Sequence, residues 1–586
     1  MASFSKVFCT SPSSPIAIKK TSRINSNPPS SLSMIPRCNA YKEPSFVSTP
    51  VQHVDYRYGN PNITDEFLDE YASKLEGFKR VFKLVSEDPL QGLTMIDAIQ
   101  RLGIDHHFQH EIEQVLQRQF MLSANGNGFH NYDLHEVALR FRLLRQEGYF
   151  VPAGVFDRFR DREGSFRHEH CRDIKGLIEL YEASQLGMDG EDILDEAREF
   201  SSQSLRKWRM AKVDLFSERA IRNTLDQPFH KTLSRFTARN LLGTDFQGTN
   251  GWINILQELA KMDFNLVQSL HQKEIAHISN WWKQLGLAKE LEFARDQPMK
   301  WYIWSMACLT DPTLSEQRID LTKPISLIYI IDDIFDVYGT LDELTLFVQV
   351  VERWDYAASD KLPYYMKICF KALDDITNEI SQKVYKEHGR NPINSLRKAW
   401  STLFRAFLVE ARWFGSGNLP KANEYLENGI ISSGVHIVLV HIFFLLGIGS
   451  TDQNVELIDN NPSIISSTAT ILRLWDDLGS AKDENQDGHD GSYIDCYMKE
   501  NQGIEVENAR KHVINMIANE WKLLNQQCIF QKSFSMTFCK ASLNIARMVP
   551  LMYSYDENQC LPSLDEYMKS LLYQSIPMKT LLPTQL

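Results

Sequence analysis

Two clusters of oxygen-bearing side chains have the types and spacing to do chemistry. In Tyr329-Ile-Ile-Asp-Asp-Ile-Phe-Asp-Val-Tyr338, the carboxylates Asp332, Asp333 and Asp336 are embedded among apolar residues. A carboxylate in such surroundings has to be paired, metal-bound or neutralised. Asp332 and Asp336 fall at i and i+4, on one helix face and about 6 Å apart along its axis, which suits a pair of hard divalent cations bridged by carboxylate oxygens. On its own such a string also fits a solvated acidic face. The second cluster is Leu472-Arg-Leu-Trp-Asp-Asp-Leu-Gly-Ser-Ala-Lys-Asp-Glu484, in which Asp476, Ser480 and Glu484 form one stripe at i, i+4 and i+8. A hydroxyl between two carboxylates is unusual for a salt-bridge face and sensible for a cation that keeps several waters. Two such stripes on facing helices would hold magnesium against a diphosphate, whose own oxygens would complete the octahedra.

Helices must position both stripes. From about Ile63 onward, apolar residues recur at three- and four-residue spacing, as in 64–85, 134–147 and 506–526, and alternating runs joined by hairpin turns are missing. Asp88-Pro89, a helix end near Gly103, and Pro462-Ser463 ahead of the segment leading to Asp476 supply boundary signals. The fold expected is all-α. A chain of 586 residues exceeds one ordinary domain. Gly243, Gly248 and Gly251 cluster where a junction is expected, giving a leader at 1–45 and helical domains at 46–260 and 261–586.

The leader is rich in Ser and Pro, carries Lys6, Lys19, Lys20, Arg23 and Arg37, and has no acidic residue before Glu43. That composition predicts a plastid transit peptide; a disordered leader with no address is the alternative. A formal net charge of −12 with no basic run argues against a nucleic-acid partner. The apolar stretch 435–448 is too short to span a membrane and contains His436 and His441, so it reads as a buried core helix. Nine scattered cysteines without a CxxC indicate a reducing compartment.

Both acidic segments resemble motifs of plant class I terpene synthases: Asp332-Asp333-Ile-Phe-Asp336 is similar to the aspartate-rich motif, and Asp476-Asp477-Leu-Gly-Ser480-Ala-Lys-Asp-Glu484 to the second metal motif. The resemblance spans essentially the whole chain after the leader. It implies an N-terminal α-barrel-like domain capping a C-terminal class I terpenoid synthase α-bundle. It also implies three magnesium ions, with manganese as a substitute, a small-molecule prenyl diphosphate as partner, and a monomer.

By the same resemblance, Arg295 is the first arginine of an RxR element that grips the departing diphosphate, a task suited to a planar guanidinium. The second arginine is missing: the chain reads Arg295-Asp-Gln297, and Gln297 carries no charge. Arg473 resembles another diphosphate-binding arginine, and Lys482 approaches the same anion; an intrahelical ion pair is the alternative for each. Trp304 resembles the aromatic residue of the hydrocarbon pocket, where its face stabilises a carbocation. Trp301 and Tyr302 read as core, and Ser432-Ser433-Gly434 resembles a helix break opposite the metals.

Many cyclising monoterpene synthases carry a tandem Arg-Arg after the leader with a Trp shortly beyond, whereas this chain has no Arg-Arg and its first tryptophan is Trp208. With Gln297, that absence resembles the acyclic linalool and nerolidol subfamily. The expectation is ionisation of geranyl or farnesyl diphosphate and capture of the cation by water, giving linalool in the plastid stroma or nerolidol in the cytosol. Deprotonation to an olefin is the alternative outcome. A chain-elongating prenyltransferase would carry a second DDxxD where Ser480 stands, and a class II cyclase would need an absent DxDD. A non-catalytic helical prenyl-binding protein is the reading from another class. His106 and His110, at i and i+4, lack a zincin's closing histidine and read as a capped helix start instead of a zinc site.

Overall fold

Several helices begin where the sequence supplies a cap. Thr64 accepts a hydrogen bond from the Phe67 amide at 3.2 Å and opens α1 (Asp65–Val85), whose first turn carries Asp65 and Glu66. Asp88 caps Pro89–Arg101, with its proline in the first turn, at 2.8 Å from the Gln91 amide. The computed structural model describes residues 63–123, 132–211, 214–243, 251–479, 491–530, 533–553 and 562–578. Among them every regular element is helical, and the strand-like pairing is confined to an isolated bridge between Arg160 and Phe166. The leader lies outside the described residues.

The N-terminal helices pack around cations that burial forces into pairs. Arg142, fully buried, meets Asp97 at 2.6 Å and Glu179 at 3.0 Å. A 33-residue helix, α2 (Ile253–Leu285), follows and runs unbroken through position 260. Its Asp263 faces the N-terminal helices, accepting from Tyr71 Oη at 2.9 Å and pairing with Arg235 at 3.1 Å. Further along, its Glu274 pairs with the fully buried Arg318 at 2.6 Å and accepts from Tyr302 Oη at 2.6 Å. One helix thereby belongs to both packings. Asn525 ties the late helices to the early ones by donating to the carbonyls of Gln185 and Gly187, each at 3.0 Å.

The helices that enclose the site are α3 (Pro298–Cys308), α4 (Ser315–Asp333), α5 (Ile393–Gly415), α6 (Ala422–Ser432), α7 (Val435–Leu445), α8 (Ser463–Gly479) and α9 (Met536–Tyr553). Trp301 and Tyr302 on α3 are buried in the core, as the sequence suggests. The segment Ala422–Leu445 is the one described stretch long and apolar enough to cross a membrane, and it is mostly buried. It is also broken between α6 and α7 at Gly434, whose φ of +71° admits glycine most readily, and where a Cβ would come within 2.9 Å of Ile328.

The histidine-rich turn differs from its sequence reading. No side chain caps the helix Gln109–Leu122; Asp105–His107 forms a 3-10 turn ahead of it. His106 and His107, not His110, converge on Asp263, with His107 Nε2 2.9 Å and His106 Nε2 3.4 Å from the same oxygen. This is the one His/Cys/Asp/Glu group among the described residues tight enough to share an ion. Tyr71 and Arg235 already neutralise and hydrogen-bond that carboxylate, so Asp263 serves as a polar tie between α1 and α2.

Candidate active site

The aspartate-rich segment does not stay α-helical to its end. α4 stops at Asp333, and Ile334–Tyr338 forms a π-helical turn closed by a 2.8 Å bond from the Gly339 amide to the Ile334 carbonyl. The wider turn replaces the simple i, i+4 geometry read from sequence, yet Asp332 and Asp336 both line one cavity of about 210 Å³. Asp333 does not line it. Neighbouring residues sit about 100° apart around a helix, and Asp333 turns to Arg295: one oxygen accepts from its backbone amide at 2.7 Å and the other lies 2.7 Å from its Nε. Arg295 also reaches Asp332 at 2.5 Å, and its guanidinium lies 4.9 Å from the centre of the Tyr329 ring. The loop before α3 is thereby fixed to the acidic turn.

Across the cavity stands α8. Asp476 lines the opening, with Arg473 one turn before it and 3.5 Å away. Arg473 donates to Ser432 Oγ at 3.0 Å and lies 4.0 Å from Glu410, while Ser432 itself donates to Glu410 at 2.6 Å. The guanidinium passes close over Gly429, where a Cβ would meet Arg473 Cγ at 3.0 Å. Burial opposes its charge, but Tyr425, Glu410 and Asp476 around it raise its pKa well above the ordinary value. Burial also raises Glu410, with Arg473 acting in the other direction. Asp477 faces inward, accepting from Tyr425 Oη at 3.0 Å and from the Tyr493 amide at 2.9 Å, and burial pushes its carboxyl up to about 7. Ser480, Lys482 and Glu484 lie outside the described residues, so the second stripe is represented here by Asp476.

Below this charged mouth the walls turn apolar, with Ile325, Ile328, Val435, Val438 and Ile545 lining the same cavity. Trp304 lies among them, largely buried, its Nε1 donating to Tyr329 Oη at 2.9 Å. Ser432 and Ser433, at the break between α6 and α7, line the cavity too. Sequence reasoning missed Glu410, Tyr329, Tyr425 and Lys300, which share the lining. Glu410 follows the apolar run Ala406-Phe-Leu-Val409, a weak signal that becomes meaningful only once Ser432 and Arg473 are seen to face it.

The donor set fits hard divalent cations: Asp332, Asp336 and Asp476 offer oxygens only, and they face one opening from two helices. Among the described residues these three do not draw together tightly enough to share a single ion. Oxygens from water or a ligand would complete any shell, so the arrangement suits a metal-assisted reaction of an anionic ligand with an apolar part.

Comparison with known proteins agrees with that class of chemistry. Residues 51–225 match the family described as "Terpene synthase, N-terminal domain", and residues 283–523 match "Terpene synthase family, metal binding domain". An (E)-nerolidol synthase of Cannabis sativa is 57% identical over 495 residues, which cover 83% of this chain and 89% of that protein. The S-(+)-linalool synthase, chloroplastic, of Arabidopsis thaliana is 51% identical over 510 residues, 86% of this chain and 88% of that one. Isoprene synthase from grey poplar leaves (Populus x canescens), solved with three Mg2+ ions and dimethylallyl-S-thiolodiphosphate, superposes with a TM-score of 0.79 at 34% identity, covering 89% of this chain and 99% of the other. The chain belongs to the terpene synthase family. It is a class I enzyme of that family, built as two helical domains, and its catalytic domain uses a divalent metal.

Proposed function

We propose that this enzyme, with magnesium, breaks the carbon-oxygen bond of geranyl diphosphate and lets water add to the allylic cation at its tertiary carbon, the added water losing a proton to the departed diphosphate to release linalool; farnesyl diphosphate would give nerolidol by the same step. The observation that carries the reading is one cavity lined both by Asp332, Asp336, Asp476, Arg295 and Arg473 and by apolar residues with Trp304. Asp332 and Asp336, with Asp476, Ser480 and Glu484, hold the metal, three ions by analogy with the grey poplar enzyme; Asp333 serves by fixing Arg295. Magnesium bound there supplies Lewis-acid stabilisation of the leaving diphosphate.

Arg295 and Arg473 bind the diphosphate and meet the charge that grows on it as the carbon-oxygen bond breaks; Lys482 joins them from beyond Asp476. Trp304 presents its ring face to the allylic cation. The apolar walls restrict water to the capture step. The acyclic alcohol is supported by the names of the nerolidol and linalool relatives and by Gln297 in place of a second arginine. A plastid address for the leader 1–45 is supported by its composition and by the chloroplastic relative. The reading takes the chain as a monomer, with the helical domains at 46–260 and 261–586.

Gas chromatography of products from purified protein, given geranyl and farnesyl diphosphate separately with magnesium, tests this. Linalool and nerolidol are expected, with Asp332→Ala reducing turnover at least about a thousandfold while leaving the circular dichroism unchanged. Predominantly cyclic products or olefins would refute the water-capture step, and full activity of Asp332→Ala would refute the metal assignment.

A further inference from the structure

The missing second arginine leaves a question that the lining of the cavity answers. Gln297 immediately precedes α3, its side-chain oxygen is buried without a hydrogen-bond partner, and it does not line the cavity. Lys300, three residues further on, does line it, together with Arg295 before it and Trp304 after it. Lys300 and Trp304 stand at i and i+4, so they share one face of α3 about 6 Å apart along the axis. Among the described lining residues the cations are Arg295, Lys300 and Arg473, set against Asp332, Asp336, Glu410, Asp476 and Asp477. Both arginines are drawn to carboxylates at the two sides of the mouth, Arg295 to Asp332 and Asp333, Arg473 to Asp476 and Glu410.

We propose that Lys300 is a diphosphate-binding residue, supplying from the first turn of α3 the positive charge that Gln297 lacks. An ammonium on a four-carbon stem is a compact charge that can follow a moving anion, which a rigid guanidinium fork does less well. Its place between Arg295 at the mouth and Trp304 in the apolar wall sets it at the boundary where the substrate's diphosphate joins its hydrocarbon chain. Lys300 thus holds the anion beside the ring that faces the cation, on a single helix. This inference rests on the reading of the cavity as a prenyl diphosphate site.

The test compares wild type, Lys300→Met, Lys300→Gln and Lys300→Arg. Calorimetric binding of inorganic diphosphate in the presence of magnesium and the KM for geranyl diphosphate are measured for each. Lys300→Met is expected to weaken both by about tenfold or more, the range for losing a hydrogen bond to a charged group. Lys300→Arg is expected to stay within about threefold of wild type, a rescue by retained charge that a merely structural role for Lys300 would not give. An active wild type whose Lys300→Met variant binds inorganic diphosphate and substrate unchanged would overturn the inference and leave the reading of the site standing. A wild type that releases no diphosphate from either substrate would overturn the reading of the site, and this inference with it.

Discussion

Replacing Arg473 separates its part in catalysis from its part in the fold. Its guanidinium stands 3.5 Å from Asp476, 3.0 Å from Ser432 Oγ and 4.0 Å from Glu410. At an effective dielectric near 20, unit charges about 4 Å apart interact by about 4 kcal/mol, and an anion taking up such a position would gain comparably. Only the share that grows as the diphosphate departs lowers the barrier. Loss of one preorganised donor at such a charge typically costs about 100- to 1,000-fold in rate. Arg473→Met is therefore expected to lower single-turnover kcat on geranyl diphosphate by that factor at saturating magnesium. It also strips Glu410 of its neighbouring cation, so the variant should unfold at lower temperature.

The double variant Arg473→Met/Glu410→Gln removes the orphaned charge and is expected to recover thermal stability without recovering turnover. Gly429→Ala keeps the charge but forces Arg473 aside, since the new Cβ would lie 3.0 Å from Cγ; a displacement of a few tenths of an ångström predicts a smaller loss, about tenfold. A kcat for Arg473→Met within threefold of wild type, or recovery of turnover together with stability in the double variant, would refute the assignment.

Two further outcomes follow from the cavity wall and the buried histidines. Trp304→Leu removes the aromatic face and should lower kcat about 30-fold, the equivalent of about 2 kcal/mol of cation-π attraction, whereas Trp304→Phe keeps a ring and should lose less; equal losses in the two, measured by product formation, would leave simple packing as the explanation. His230, its Nε2 2.8 Å from Asn525 Oδ1, is depressed by burial to a pKa of about 3. A base whose folded pKa lies below its unfolded value of about 6.5 loses stability as pH falls through 6.5, because the unfolded chain takes up the proton first. Each pH unit from 6.5 toward 3 should therefore cost about 1.4 kcal/mol through this residue. His230→Gln should flatten the pH dependence of urea denaturation between pH 6.5 and 5.5, and an unchanged slope would count against a neutral His230 in the folded state.

The acidic positions of the cavity were legible in the primary structure because they are written in short-range spacing, whereas Arg295, Arg473 and Trp304 were legible only through the resemblance to terpene synthases. Asp332 and Asp336 share a helical period, Arg473 and Asp476 stand one turn apart, and all four line the cavity together with Arg295 and Trp304. The helical fold was legible for the same reason, since periodicity and caps such as Thr64 and Asp88 are local.

Packing between distant segments decided the rest. Asp333 became a support for Arg295 because the backbone amide and guanidinium of Arg295, brought in from the loop before α3, meet its carboxylate, and a π turn replaced the α-helical geometry around Asp336. Glu410 looked like any acid on an amphipathic helix until Ser432 and Arg473, brought in from other helices, enclosed it. Lys300 likewise gained meaning only when it, and not its neighbour Gln297, proved to line the cavity. Spacing along one helix sets which residues can share a face; which face meets the cavity, and what stands opposite, depends on contacts between different helices, and no local pattern encodes those.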